Sequence, residues 1–119
     1  MKILTVDDSG LVRLMLKNIL EEQGHSVYEA PNGKEALDML AKHDHFDLIF
    51  LDWEMPVMNG YHFLTRVRSE NQAPNTKIIM VTSLNKMSNV LQALKAGADE
   101  YIMKPFTAEM ITEKMDNVL

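Results

Sequence analysis

Five short apolar runs alternate with stretches of helical periodicity along the chain, and this alternation limits the folds that it can adopt. The runs predict strands, with ends uncertain by about two to four residues, at about residues 2–7, 25–30, 47–52, 77–82 and 99–103. Because the runs are apolar on both strand faces, they indicate a parallel sheet covered by helices on both sides. Right-handed crossovers then predict an α/β fold, a doubly wound (βα)5 sandwich of five strands and five helices.

Four residues mark predicted helix ends. Gly24 and Gly97 follow stretches of helical periodicity, where a residue in the left-handed conformation would end a helix. Asn59 and Thr107 precede such stretches, where a side-chain oxygen would cap the first turn. These signals support the boundaries that the apolar pattern predicts.

The charge balance and the absence of cysteine exclude several kinds of site. The 119 residues include 12 basic and 17 acidic side chains, a formal net charge of -5, which argues against direct nucleic-acid binding through a basic face. With no cysteine, disulfides and cysteine zinc sites are excluded. No apolar run approaches the length of a membrane span. We therefore expect one cytoplasmic domain over residues 1–119, with no membrane insertion and no output domain.

Polar side chains end four of the predicted strands. Asp7 and Asp8 end the first strand, Asp52 ends the third, Thr82 the fourth and Lys104 the fifth. The carboxyl ends of parallel strands meet at one edge of a sheet, where open α/β folds bind their ligands. Three carboxylates, a hydroxyl and an ammonium at this edge predict a site for a hard cation and a phosphoryl group.

The chemistry of these groups follows from their closeness. Neighbouring strands lie about 4.8 Å apart, so the three carboxylates would repel one another and raise at least one pKa unless a cation compensates. Mg²⁺ suits such oxygen ligands. Lys104 would contribute a positive charge and Thr82 a hydroxyl donor to a phosphoryl group. Asp52 could be the nucleophile that forms an acyl phosphate.

Together these motifs resemble a response-regulator receiver domain, at family order and spacing over essentially the whole chain. The matching segments are Asp7-Asp8-Ser9 with Arg13, Leu51-Asp52-Trp53-Glu54-Met55-Pro56 continuing to Gly60, Thr82-Ser83, Gly97-Ala98-Asp99 and Lys104-Pro105-Phe106. The resemblance implies a flavodoxin-like sheet of strand order 2-1-3-4-5. The segment around Lys104, and Trp53 after the acceptor, are similar to single-domain chemotaxis members of the CheY type.

The resemblance also implies roles for individual residues around a phosphorylated aspartate. Asp52 would accept phosphate from a histidine kinase or a small phosphodonor. Mg²⁺ would bind Asp8 and Asp52 directly, Asp7 mostly through water, and the backbone carbonyl of Glu54. Lys104 would contact the phosphoryl group.

A second set of implied roles concerns the switch. The bond from Lys104 to Pro105 is expected to be cis. Thr82 would move toward the phosphate and Tyr101 would rotate inward behind it. That shift would change the face made by the fourth helix, fifth strand and fifth helix, by population shift between two conformations. Glu54 and Leu84 occupy positions that tune the lifetime of the phosphoryl group in the family.

The implied function is that of a stand-alone response regulator in a two-component phosphorelay. It would catalyse only the phosphorylation and dephosphorylation of its own Asp52, and would signal by binding a protein, with the flagellar motor switch as the expected target and a phosphatase as a further partner. Alternatively, a solitary receiver relays phosphate to a histidine phosphotransfer protein, regulates a kinase, or binds partners without phosphorylation.

Two further protein classes fit the residues less well. A haloacid dehalogenase-type phosphatase also uses an aspartyl nucleophile and Mg²⁺, but needs Asp-x-Asp after its first strand, whereas Asp7 and Asp8 are adjacent. A flavodoxin-like redox protein must bind a phosphate in its first loop, where these two carboxylates would repel it. The polar segment with His43 and His45 is interpreted as a solvated loop.

Overall fold

The computed structural model of the protein describes residues 1–83 and 87–119, without the side chain of Met87. Strands and helices alternate throughout these residues. The strands are β1 (Lys2–Val6), β2 (Ser26–Ala30), β3 (Leu48–Asp52), β4 (Lys77–Ser83) and β5 (Glu100–Lys104). The helices are α1 (Gly10–Glu22), α2 (Gly33–Lys42), α3 (Gly60–Ser69), α4 (Met87–Ala96) and α5 (Ala108–Val118).

All strand pairs in the sheet are parallel, and the strand order is β2-β1-β3-β4-β5. This architecture confirms the doubly wound fold and the strand order that the resemblance implied. Each predicted strand lies within one residue of the observed strand at each end. The carboxyl ends of β1, β3, β4 and β5 therefore share one edge, which we call the upper edge of the sheet, and their amino ends form the lower edge.

The alternation of side chains along each strand divides the core between two faces of the sheet. On β3, Ile49 and Leu51 belong to one buried cluster, whereas Leu48 and Phe50 belong to the other. The first cluster includes buried side chains of α2, α3 and α4, and the second includes those of α1 and α5. Helices thus cover both faces, and only the edges of the sheet remain for a site.

The predicted helix ends are confirmed in the structure. Gly24 and Gly97 have φ angles of 90° and 115°, which glycine adopts without steric penalty. The side chains of Asn59 and Thr107 accept hydrogen bonds from backbone N–H groups in the first turns of α3 and α5. Asn32 caps α2 in the same way, although the sequence analysis did not identify it. Among the described residues, no helix combines the length and the apolar character needed to cross a membrane.

Candidate functional site

A pocket opens at the upper edge of the sheet, where the sequence places its charged strand ends. It is lined by Asp8, Asp52, Trp53, Glu54, Met55, Pro56, Thr82, Ser83 and Lys104. Strand order brings these residues together, because β3 lies between β1 and β4 and β5 follows β4. The sheet therefore unites side chains that are far apart in the sequence.

Three carboxylates in and directly beside this pocket lie close enough to share one cation. Asp7, Asp8 and Asp52 each place a carboxylate oxygen within 4.8 Å of the others. Asp7 and Asp52 are buried, and Asp8 is exposed. Hard divalent cations prefer oxygen ligands of this kind. The three residues thus form an oxygen donor set that could hold a metal ion, and they lie at the edge where the sequence predicted a cation site.

Lys104 bridges the two buried carboxylates. Its Nζ lies 3.0 Å from Oδ2 of Asp7 and 3.2 Å from Oδ1 of Asp52. The sequence predicted that Lys104 lies in the pocket, but not that its ammonium would join these two side chains. In this arrangement one cation offsets part of the charge of two buried anions.

Burial in this charged cluster raises the pKa of Asp52 to about 6. Burial is the main cause, the neighbouring Asp7 and Asp8 carboxylates add to it, and Lys104 opposes it. The pKa of Lys104 is itself raised, because the attraction of Asp52 and Asp7 outweighs the effect of burial, which lowers it. The structure thus bears out the predicted repulsion among the strand-end carboxylates.

The hydroxyl of Thr82 is buried and makes no hydrogen bond within the described parts of the chain. A buried polar group without a partner is unfavourable by about 1–3 kcal/mol, so its presence calls for an explanation. Thr82 lies in the wall of the pocket, beside Asp52 and Lys104. A ligand with acceptor oxygens in this pocket would satisfy it.

Main-chain contacts fix the position of Asp52. Trp53 N–H donates to the carbonyl of Val81 across the sheet, and Gly60 N–H donates to the carbonyl of Trp53. A Cβ atom at Gly60 would lie 2.0 Å from the carbonyl oxygen of Asp52, so only glycine allows α3 to approach β3 so closely. The loop between them contains Val57 at φ 69°, a conformation that is unfavourable for a β-branched residue.

Asp7 is held by a second group of contacts. Its N–H donates to the carbonyl of Ala30, and its carboxylate accepts a hydrogen bond from Ser9 N–H at 2.9 Å. Arg13 donates to the carbonyl of Asp7 and pairs with Glu29 on β2. The carboxylate of Asp7 is therefore oriented from β2 and α1 as well as by Lys104.

The other predicted site residues lie around this pocket. Glu54 is exposed at its rim, and the peptide bond between Lys104 and Pro105 is cis. Tyr101 lies on β5, and its ring is covered by Lys114 of α5 at 4.4 Å from the ring centroid. Leu84 falls outside the described residues. The contact of Lys114 could not be predicted from the sequence, because Lys114 and Tyr101 lie on different elements and form no local motif.

Comparison with known proteins places this geometry in a family. Residues 3–116 match the family described as response regulator receiver domain. The chain is 44% identical over 120 residues to a chemotaxis protein CheY homolog of Campylobacter jejuni, covering 100% of this chain and 92% of that protein. It is 41% identical to chemotaxis protein CheY1 of Helicobacter pylori, covering 100% and 97%.

Solved structures give the same result. The chemotaxis protein CheY4 of Vibrio cholerae, crystallised at low pH, has a TM-score of 0.90 and 36% identity, over 99% of this chain and 98% of that one. The structural similarity extends over nearly the whole of both chains. The chain therefore belongs to the response regulator receiver domain family, as its motifs predicted.

Proposed function

We propose that this receiver accepts a phosphoryl group on Asp52 and signals its phosphorylation by binding another protein. The observation that carries the proposal is the composition of the upper-edge pocket. Three carboxylates lie within 4.8 Å of one another beside Lys104, and the buried Thr82 hydroxyl has no partner among the described residues. A cation and a phosphoryl group together would complement all of these groups.

Asp8 and Asp52 would hold Mg²⁺ directly, with the backbone carbonyl of Glu54 as a third ligand and Asp7 acting through water. The donor set fits because all its atoms are hard oxygens, and because the exposed Asp8 has no ion pair among the described residues to give up. When bound, Mg²⁺ supplies positive charge that offsets the repulsion between the carboxylates and the incoming phosphoryl oxygens.

In the phosphorylation step, a carboxylate oxygen of Asp52 attacks the phosphorus of a phosphohistidine. The P–O bond of an acyl phosphate forms, the P–N bond breaks, and the imidazole leaves with its electron pair. Lys104 exchanges its contact with the Asp52 carboxylate for one with a phosphoryl oxygen. The Thr82 hydroxyl donates to another phosphoryl oxygen and thereby gains the partner that it lacks.

The output would be a change of surface on the face formed by α4, β5 and α5. Thr82 would move toward the phosphoryl group, and Tyr101 on the neighbouring strand would rotate inward. Leu91 and Leu94 of α4 are already exposed, at 67% and 37%, and offer apolar area to a partner. Because close relatives carry the name of chemotaxis proteins, we propose the flagellar motor switch as that partner.

The same reasoning sets the cellular context of the proposal. The donor would be a histidine kinase, the protein would act in the cytoplasm, and a phosphatase would be a further partner. Relay of phosphate to a histidine phosphotransfer protein, or regulation of a kinase, would use the same Asp52 chemistry with a different output.

Trp53, which lines the pocket next to Asp52, provides the test. We expect its fluorescence to change saturably when Mg²⁺ and then beryllofluoride, which stands in for the phosphoryl group, are added. The Asp52→Asn variant should show no beryllofluoride response. A folded wild-type protein that responds to neither ligand would refute the proposal and favour a receiver that acts without phosphorylation.

A further inference from the structure

A closed set of contacts joins β5 to α5 around the ring of Tyr101. Lys114 Nζ lies 4.4 Å from the centroid of the ring and 3.3 Å from Oε1 of Glu100. The same Glu100 oxygen accepts a hydrogen bond from the backbone N–H of Tyr101 at 3.0 Å. Asn117 donates to the other carboxylate oxygen of Glu100 at 3.3 Å. Lys114 is therefore fixed over the ring by groups from both elements.

These contacts are partly shielded from solvent. The side chains of Lys114 and Glu100 are 24% and 19% exposed, and Tyr101 packs against the core cluster that includes the buried residues of α3 and α4. Burial raises the pKa of the Glu100 carboxyl, but its hydrogen bonds to Tyr101, Lys114 and Asn117 outweigh it and lower the pKa overall. Glu100 thus stays charged and keeps Lys114 in place.

We propose that Lys114 is a positioning residue that holds Tyr101 in the conformation seen here and opposes its inward rotation. This inference rests on the function proposed above, in which Tyr101 rotates when Asp52 is phosphorylated. If the ring rotates away from Lys114, it loses a cation–π contact, so this contact stabilises the conformation seen here over the rotated one. Lys114 thereby increases the free-energy difference between the two conformations that phosphorylation must offset.

Removal of this contact should make activation easier. A group that stabilises the unphosphorylated conformation reduces the apparent affinity for any ligand that selects the other one. Loss of a partly exposed cation–π contact should therefore tighten beryllofluoride binding about two- to fivefold, equivalent to about 0.5–1 kcal/mol. The effect should depend on the aromatic ring at position 101.

The test is beryllofluoride titration in saturating Mg²⁺, followed by Trp53 fluorescence. Lys114→Met keeps the length of the side chain without its charge and should bind more tightly than the wild type, whereas Lys114→Arg, which keeps a cation over the ring, should bind as the wild type does. Lys42→Met is the matched charge control: it removes the same charge from an exposed position on α2, which packs near β2, the outer strand farthest from β5. It should leave the affinity unchanged.

Repeating the Lys114→Met replacement in a Tyr101→Leu variant separates the positioning of Tyr101 from a general effect on α5. In Tyr101→Leu the ring is absent, so adding Lys114→Met should change the affinity no further. In wild-type protein, NMR should show the Lys114 ε-methylene protons shifted upfield by the ring, and this shift should decrease when beryllofluoride binds. Either an equal effect of Lys114→Met in the two backgrounds or an unchanged NMR shift on binding would overturn the inference.

The outcomes also distinguish this inference from the proposed function. If wild-type protein does not respond to beryllofluoride, phosphorylation of Asp52 is refuted. If wild-type protein responds but Lys114→Met binds no more tightly, the pocket stands and only the positioning role of Lys114 fails.

Discussion

The upper and lower edges of the sheet carry similar polar residues in opposite states. At the upper edge, Asp52 is buried among other carboxylates and its pKa is raised to about 6, and the hydroxyl of Thr82 has no partner among the described residues. At the lower edge, the hydroxyl of Thr76 is also buried but donates to the carbonyl of Phe46 at 2.7 Å. At the upper edge a buried polar group lacks a hydrogen-bond partner, whereas at the lower edge the corresponding group has one.

The carboxylates of the lower edge follow the same rule. Asp47 and Asp99 each directly precede a strand and accept a backbone N–H, from Lys2 and Ile78 respectively, at 2.8 Å. The hydrogen bond from Lys2 is the largest reason that the pKa of Asp47 is lowered, in contrast to Asp52. The carboxylates of Asp47 and Asp99 therefore stabilise this fold, whereas the buried charge of Asp52 destabilises it.

The contrast indicates that the unfavourable polar interactions lie at the edge where a ligand is expected to bind. Functional sites are expected to depart from the rule that buried polar groups are satisfied. The upper edge departs from this rule, and a bound ligand would supply the hydrogen-bond partner and the charge that it lacks. At the lower edge, Thr76, Asp47 and Asp99 already have protein hydrogen-bond partners.

Replacement of Asp52 should produce the largest effect. Asp52→Asn removes the acceptor carboxylate, so we expect no phosphorylation by an acyl phosphate donor, measured by intact-protein mass spectrometry. The same variant should raise the free energy of unfolding at pH 7 by about 1–3 kcal/mol, because a buried charge is lost. Asp47→Asn, its counterpart at the lower edge, should instead be destabilised. Equal signs for the two variants would contradict the comparison.

Loss of the main lower-edge network should reduce stability without impairing the pocket. Arg68 donates to the carbonyls of Gly97, Ala73 and Thr76 and to the carboxylate of Asp99, at 2.9–3.1 Å. Arg68→Met should lower the free energy of unfolding by about 2–4 kcal/mol, since it leaves several partly buried acceptors without a donor.

Urea denaturation measures this change, and Arg66→Met is its control. Arg66 lies on the same helix in an exposed pair with Glu70. Its replacement should therefore change the free energy of unfolding by less than about 0.5 kcal/mol. Beryllofluoride affinity should be the same in both variants, since neither residue contacts the pocket. A weaker affinity in Arg68→Met alone would show that the edges are coupled.

The pH dependence of stability should report the raised pKa of Asp52 directly. In the unfolded chain this carboxyl titrates near its ordinary value of 3.8, and in the folded protein at about 6. The stabilisation of the protonated form is therefore complete below about pH 4 and is lost as the pH rises through 6. Relative to Asp52→Asn, the wild type should lose up to about 3 kcal/mol between pH 4 and 7 without Mg²⁺.

Denaturation of both proteins at a series of pH values measures this difference. Added Mg²⁺ should shrink it at neutral pH, because a bound cation favours the ionised carboxylate. A difference that stays constant with pH would mean that Asp52 titrates normally and that the upper edge is not strained.

Of the two pocket residues replaced here, Glu54 should have the smaller effect. Its exposed carboxylate at the rim of the pocket should repel an incoming phosphate or a hydrolytic water, but solvent screens such a charge. Glu54→Asn should therefore change the phosphorylation or dephosphorylation rate by less than about tenfold, or about 1.4 kcal/mol. Rates are measured by Trp53 fluorescence, and no change in either rate would refute a tuning role.

The sequence predicted the upper edge well because that edge depends on short-range patterns and one topological rule. Strand ends could be located from apolar runs, and parallel strands bring the ends at Asp7, Asp52, Thr82 and Lys104 to one place. The bridge from Lys104 to Asp7 could not be predicted, since it depends on side-chain conformations 97 residues apart. The resemblance gave Lys104 only its contact with the phosphoryl group.

The lower edge was largely missed for a related reason. Arg68 has no motif, and its importance comes from carbonyl groups on loops that only the fold brings together. The interpretation of the segment with His43 and His45 as a solvated loop holds for the exposed Asp44 and His45 but not for His43. Its ring is partly buried, packs 4.7 Å from that of Tyr28, and lies 2.9 Å from Lys2 Nζ. Polar residues in loops give little sequence signal of such burial.

The close approach of Gly60 to the carbonyl oxygen of Asp52 bears on how this chain tolerates mutation. Because backbone meets backbone there, main-chain atoms set the spacing between the first residue of α3 and the end of the acceptor strand. Buried residues of α3 such as Phe63 and Val67 can exchange for others of similar size while the acceptor keeps its place. The buried residues of this half of the molecule can thus change during evolution without moving the acceptor Asp52, provided that Gly60 is retained.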